Sequence, residues 1–283
     1  MQAAIESALA DLVFGPEIAQ GDAAGIASWL ARNGVQEADA RALSRDFPLL
    51  QLYRRLARGN LQKALEDTLP RTLFRLGPLF ESYFDEFLRV MPPVSHCLRD
   101  LTPSFLSFAL PRFRGDERVP AYLVDLARHE ALQVEVASLL GQQKGHVAAE
   151  LSLDEGVLFI DAARLVDYEW AVHRLPEDES SDVVPERLAV SLLVYRSPEH
   201  EVRYLELGAF AAGLLAGLLT CGVSLRAALD QGALRAGRPL DDELLTRAAG
   251  LLSELASRGA LLGKSPPVSP EPPIEGPRSS ILP

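Results

Sequence analysis

The chain has 283 residues, of which 48% are hydrophobic and 24% charged, with a formal net charge of −11 and a pI of about 5.0. That length exceeds one ordinary domain and supplies apolar material for two cores. The acidic balance repels phosphate backbones and anionic lipid, so nucleic-acid binding would need a local basic patch. The two cysteines, Cys97 and Cys221, exclude a disulfide framework and a cysteine-ligated zinc site, and are expected as reduced, buried thiols.

The opening MQAAIESALADLVFG carries acids and lacks the basic start and long apolar run of a secretory signal, so a cytoplasmic protein is expected. Residues 1–142 read as helix after helix. ESALADLVFG, AAGIASWLARNG and QEADARALSRD space their apolar residues by three and four, and Gly34 is placed to end the second. LLQLYRRLARGNLQKALEDTL continues the pattern to Pro70, a helix limit or kink. PLFESYFDEFLRVM follows with Phe80, Phe84 and Phe87 on one face, and MPPVSH stops it. SFLSFALPRF and AYLVDLARHEALQVEVASLLG are two further helices, and no strand-like alternation precedes residue 150.

GQQKGHVAA, residues 141–149, reads as a hinge, after which the period changes. VLFIDAARLVDYEWAVHRL is rich in β-branched and aromatic residues. LAVSLLVYR, SPEH and EVRYLELG read as a hairpin over 188–196 and 201–207, turning at Ser197 and Pro198. The uncharged run 207–223 is slightly short for a membrane span and Gly-rich, so it reads as a buried helix. Within it Gly208, Gly213 and Gly217 suit close packing. CGVSLRAALDQ and LDDELLTRAAGLLSELASRG give two more helices, the last with Asp241, Asp242 and Glu243 at its positive end and Gly259 as its stop. The expected fold is mainly α with a smaller α+β part. A helical bundle over 1–142 precedes a winged-helix-like hairpin plus three helices over 146–263, and a disordered Pro-rich tail over 264–283.

No residue is singled out as catalytic or as a metal ligand, and no cofactor is expected. The five histidines, His96, His129, His146, His173 and His200, form no spaced ligand pair, and no nucleophile elbow, phosphate loop or dinucleotide fingerprint occurs. PAYLVDLARHE, residues 120–130, is the one charged cluster. It puts Asp125 within helical reach of Arg128 and His129, with Glu130 next to them. Arg128 keeps Asp125 ionised, which suits a structural seam better than acid–base chemistry.

The helical part resembles the HvfC/BufC family of peptide-modification partner proteins, related to MbnC, whose members were long labelled as carrying a DNA-binding domain. The likeness covers about residues 45–135. It rests on Tyr53-Arg54, Asn60-Leu61, Ala64-Leu65, Leu69-Pro70 and Leu76-Gly77, then Phe80, Phe87, Pro92-Pro93-x-Ser95, Leu98, Phe105 and Phe108. It closes on Pro120-x-Tyr122-Leu123-x-Asp125-Leu126-Ala127-Arg128-x-Glu130. Leu69 stands where the family has Phe, His129 where it has an aliphatic residue, and Ala131 where it has Trp.

The resemblance implies a non-catalytic partner of a TIM-barrel multinuclear non-haem iron oxidase that modifies a ribosomal precursor peptide. The iron and oxygen chemistry would reside in the oxidase. Tyr53, Arg54, Tyr122, Asp125, Arg128 and Glu130 are the candidates for contact with it. The second domain is similar to PqqD-type peptide-recognition domains, which bind a leader peptide as an added strand. Ser191, Leu193, Tyr195 and Arg203 are the leader-binding candidates, with Val190, Leu192 and Val194 packing inward. A DNA-binding regulator using the same winged helix is the alternative. Against it, the third helix carries Asp241, Asp242, Glu243 and Glu254 against Arg247 and Arg258, and the hairpin tip SPEHE is acidic.

Overall fold

A computed structural model describes residues 8, 11–14, 23–93, 95, 97–139 and 151–264. The expected hinge at 141–149 and the tail from 265 onward lie outside the described residues, as do His96 and His146. The chain is mainly α with a smaller α+β part. It divides into two units, Met1–Val134 with Tyr168–Leu188, and Glu135–Asp167 with Ala189–Pro283. The stretch 168–188, read from sequence as part of the second domain, thus belongs with the helical unit.

In the first unit, helices α1 (Ala23–Arg32), α2 (Glu37–Arg45), α3 (Phe47–Thr68) and α4 (Pro70–Leu76) lead to α5 (Leu79–Val90). Gly34, at φ 82°, turns the chain after α1. Pro70 is the first residue of α4, where its missing N–H costs nothing, so α3 stops before it. The proline pair after Val90 ends α5. A 3₁₀ turn over Leu98–Asp100 and helix α6 (Leu101–Gly115) follow, and α7 (Leu123–Ser138) begins in this unit.

The core is aromatic. Phe87 meets Phe105 edge-on at 5.4 Å and Phe108 at 5.7 Å, and Phe80 lies 5.5 Å from Phe84. Burying such rings contributes on the order of 2–3 kcal/mol each, before the edge-on geometry adds its share.

The second unit holds two small antiparallel sheets. β1 (Val157–Phe159) pairs with β5 (Leu261–Lys264), a strand absent from the sequence reading. β2 (Arg164–Tyr168), β3 (Val190–Arg196) and β4 (Val202–Leu207) form a three-stranded sheet in the order β2-β3-β4. The β3–β4 loop closes with Ser197 N–H donating to the Glu201 carbonyl (2.8 Å) and His200 N–H to the Ser197 carbonyl (2.9 Å), and His200 takes φ 68°. This is a three-residue hairpin loop with a left-handed third position.

Helices α8 (Ala209–Leu218), α9 (Leu225–Ala236) and α10 (Asp242–Ser257) complete the unit. Ser224 caps α9 by accepting from Ala227 N–H, and Asp241 caps α10 by accepting from Leu244 N–H (2.9 Å). α8 and α9 touch backbone to backbone. A Cβ on Gly213 or Gly217 would fall within 2.9 Å of α9 atoms, and one on Gly232 would meet the Phe210 carbonyl at 2.9 Å. Close packing at Gly213 and Gly217 is therefore real. Gly208 has open space instead, and stands at the start of α8. Among the described residues no helix is long and apolar enough to cross a membrane.

Candidate functional site

The charged cluster of PAYLVDLARHE sits on α7, and the fold uses it to hold backbone. Asp125 is buried, and its Oδ2 accepts from Glu169 N–H (2.7 Å) and Trp170 N–H (3.1 Å). Its Oδ1 receives Arg128 at 3.4 Å. Glu130 is buried too. Its Oε1 accepts from Arg71 N–H (3.0 Å) and Arg71 Nε (3.1 Å), and its Oε2 from Thr72 N–H (2.9 Å). Those two amides belong to the first turn of α4, where no intrahelical acceptor exists. A carboxylate 58 and 59 residues away supplies it. Negative charge there also meets the positive end of the helix.

His129, between them, packs edge-on against Tyr168 at 5.7 Å. Burial is the main cause of its pKa falling to about 3, helped by the nearby Arg71 and then His173. A neutral imidazole follows at physiological pH. Tyr122 is buried with its ring 6.0 Å from Trp170, and Arg187 lies 5.7 Å over the same indole. Arg71 also reaches the Pro176 carbonyl at 3.4 Å, and Arg75 the Val183 carbonyl at 3.3 Å. The cluster therefore anchors the 168–188 segment and the start of α4.

The other candidates on this unit separate. Arg54 spends its guanidinium on the Leu12 and Val13 carbonyls, at 2.6 and 3.2 Å. Tyr53, its neighbour, is 61% exposed. Sequence reasoning missed Arg71, Trp170 and Tyr168. The uncapped start after Pro70 was the available signal for Arg71. Nothing local marks the two aromatics.

In the second unit the leader-binding residues are placed otherwise than expected. β3 is the middle strand, paired on both sides, so it offers no free edge. The reason is the third strand, β2, which a reading of the hairpin alone does not supply. Leu193 (0% exposed) and Tyr195 (2%) enter the core with Phe210, Leu214 and Leu255, and Val190, Leu192 and Val194 are buried as well. Ser191 donates to Asp167, and Arg235 reaches both, at 2.8 Å to Asp167 and 2.9 Å to Ser191. Arg203 alone of the four lies exposed on an outer strand, β4, ion-paired with Glu201.

An apolar cavity of about 420 Å³ opens between α9, α10 and β5, lined by Leu225, Leu229, Leu245, Leu252 and Leu261 among others. The arginines on and beside α10 are taken up locally: Arg238 by Asp241 (2.6 Å) and Glu243 (2.9 Å), Arg247 by Glu243 (2.5 Å), and Arg258 by Glu254 (2.5 Å).

Among the described residues no group of three or more His, Cys, Asp or Glu could hold a metal ion. Both cysteines are exposed, which corrects the expectation that they are buried. Cys97 lies in the break after α5 and Cys221 in the turn after α8, outside the packed faces of the helices.

Residues 161–256 match the family model of the HvfC C-terminal domain. No curated protein matches the chain. The match runs from the approach to β2 through almost all of α10, and so lies outside the 45–135 stretch that carries the resemblance in sequence. The matched stretch is the β2-β3-β4 meander followed by three helices, so this part of the chain is similar to the HvfC C-terminal domain.

Proposed function

We propose that the chain is a non-catalytic partner in the biosynthesis of a ribosomally made, post-translationally modified peptide. It binds the precursor's leader and a multinuclear non-haem iron oxidase that modifies the peptide. The observation that carries this reading is the match to the HvfC C-terminal domain over residues 161–256. Its partner-type role in a biosynthetic system agrees with a charged cluster that is consumed in holding backbone.

The leader adds a strand to β4, the outer strand that follows β3 in the meander. Strand addition takes its affinity from main-chain hydrogen bonds and its specificity from pockets for alternate side chains. The acidic surface steers a leader bearing Lys or Arg. DNA binding by α10 is disfavoured, because its arginines are already ion-paired and phosphate neutralisation would have to break those pairs.

Co-expression with a multinuclear non-haem iron oxidase and a precursor peptide tests the reading. The three should co-purify, and the precursor's mass should change only when this chain is present. A precursor modified equally well by the oxidase alone would overturn it.

A further inference from the structure

α3 presents an apolar stripe to solvent. Leu49 is 63% exposed, Leu52 44%, Tyr53 61% and Leu56 56%. Their spacing of three, four and seven residues puts all of them on one helical face. Isolated exposed leucines need no explanation, but four large side chains aligned along one face mark an interaction surface. The same helix is locally basic on an acidic protein. From Phe47 to Lys63 it carries Arg54, Arg55, Arg58 and Lys63 and no carboxylate. Arg58 is paired with Asp85 and Lys63 with Asp67, while Arg55, beside the stripe, and Arg45, just before it, are exposed and make no ion pair among the described residues.

Charge decides between the occupants. A second copy would set two such basic 47–63 segments, each without a carboxylate, against each other, and like charges across an interface cost affinity. An anionic membrane meets a chain of net charge −11, which repels it. A folded protein with an aliphatic patch rimmed by carboxylates satisfies both the stripe and the cations.

We infer that the Leu49–Leu52–Tyr53–Leu56 stripe of α3 is where the oxidase docks, through an aliphatic face with an acidic rim. This rests on the reading under Proposed function and deepens it. Of the six interface candidates, Tyr122, Asp125 and Glu130 are buried, whereas Tyr53 stands in the middle of the stripe. Tyr and Arg are the side chains that most often anchor such surfaces.

The test uses the full chain and its co-expressed oxidase. Leu52→Asp with Tyr53→Asp places two carboxylates in the stripe, and Arg55→Glu reverses the flanking charge. The double variant should bind the oxidase at least tenfold more weakly, and Arg55→Glu should weaken binding and flatten its salt dependence. Circular dichroism and leader binding should stay at the parent's level. If the parent binds oxidase and the folded double variant binds equally well, this inference fails and the proposed function stands. If the parent itself captures no oxidase, both fail. Stripe-dependent binding to vesicles of anionic phospholipid, with oxidase binding unchanged, would assign the surface to a membrane instead.

Discussion

Glu130 on α7 and Arg71 on α4 form a buried pair in which one carboxylate takes the arginine's backbone N–H, its guanidinium and the next residue's N–H together. The contact is an ion pair and a helix cap at once. Its two halves are not separable, because removing the carboxylate strands a guanidinium and two first-turn amides away from water.

Glu130→Ala should therefore cost about 3–5 kcal/mol of unfolding free energy, the usual penalty for orphaning a buried charge. Arg71→Met with Glu130→Met should lose distinctly less than the single change. Urea denaturation of the three variants measures this. Equal losses for the single and double variants would show that the pair carries no special coupling.

Asp125 does a similar task for the 168–188 segment. Asp125→Ala leaves the amides of Glu169 and Trp170 without their acceptor, and should cost roughly 2–3 kcal/mol. Asn, which keeps one carbonyl oxygen, should cost less. Hydrogen exchange at residues 169 and 170 should accelerate in the Ala variant, and unchanged rates would mean that the carboxylate does not hold the segment.

His129 makes stability pH-dependent in a stated direction. Its folded pKa of about 3 lies below the ordinary 6.5, so the unfolded chain takes up a proton first as pH falls. The stability it allows is complete above 6.5 and is lost between 6.5 and 3. At pH 5 the loss is roughly 2 kcal/mol. His129→Leu should remove that dependence from the pH profile of unfolding. A profile identical to the parent's between pH 7 and 5 would sink the assignment.

The α8–α9 contact admits no methyl group at Gly217, where a Cβ would stand 2.8 Å from the Ala228 Cβ. Gly217→Ala should cost about 1–3 kcal/mol from overpacking, although alanine is the better helix former. Gly250, with open space around it, is the control: Gly250→Ala should be neutral or stabilising. Thermal denaturation ranks the two.

Val202 opens β4 opposite Arg196, next to the bonded Ser197–Glu201 position. Ladder bonding alternates, so its N–H turns away from β3. Val202→Pro keeps the sheet's own bonds, since proline is accepted at the first residue of an edge strand. It should weaken leader binding at least tenfold in fluorescence anisotropy, with oxidase capture unaffected. A folded variant that binds leader as tightly as the parent places the leader elsewhere.

The local order of elements was legible in the chain. Three- and four-residue spacing marked the helices that run up to Ser138, and the switch to β-branched alternation marked the hairpin. Ser197-Pro198 marked its turn, and Gly259 the end of the last helix, where it takes φ 73°. Each is a property of a few neighbouring residues, set by backbone sterics and side-chain period. The family likeness lay in the same local order.

What the sequence left open depends on partners far along the chain. β5 is four residues long and acquires its identity only by pairing with β1, about a hundred residues earlier. β3 read as a strand with a free edge, and became the middle of a sheet once β2 paired with it. Ser191, Leu193 and Tyr195 lost the free edge by that pairing, and Leu193 and Tyr195 are buried in the core as well. PAYLVDLARHE held the right residues for either chemistry or support. The tertiary structure brings the Glu169 and Trp170 amides to Asp125, and Arg71 to Glu130, so that both carboxylates hold backbone. A carboxylate's role is fixed by which donors burial brings to it, and those donors lie between 44 and 59 residues away.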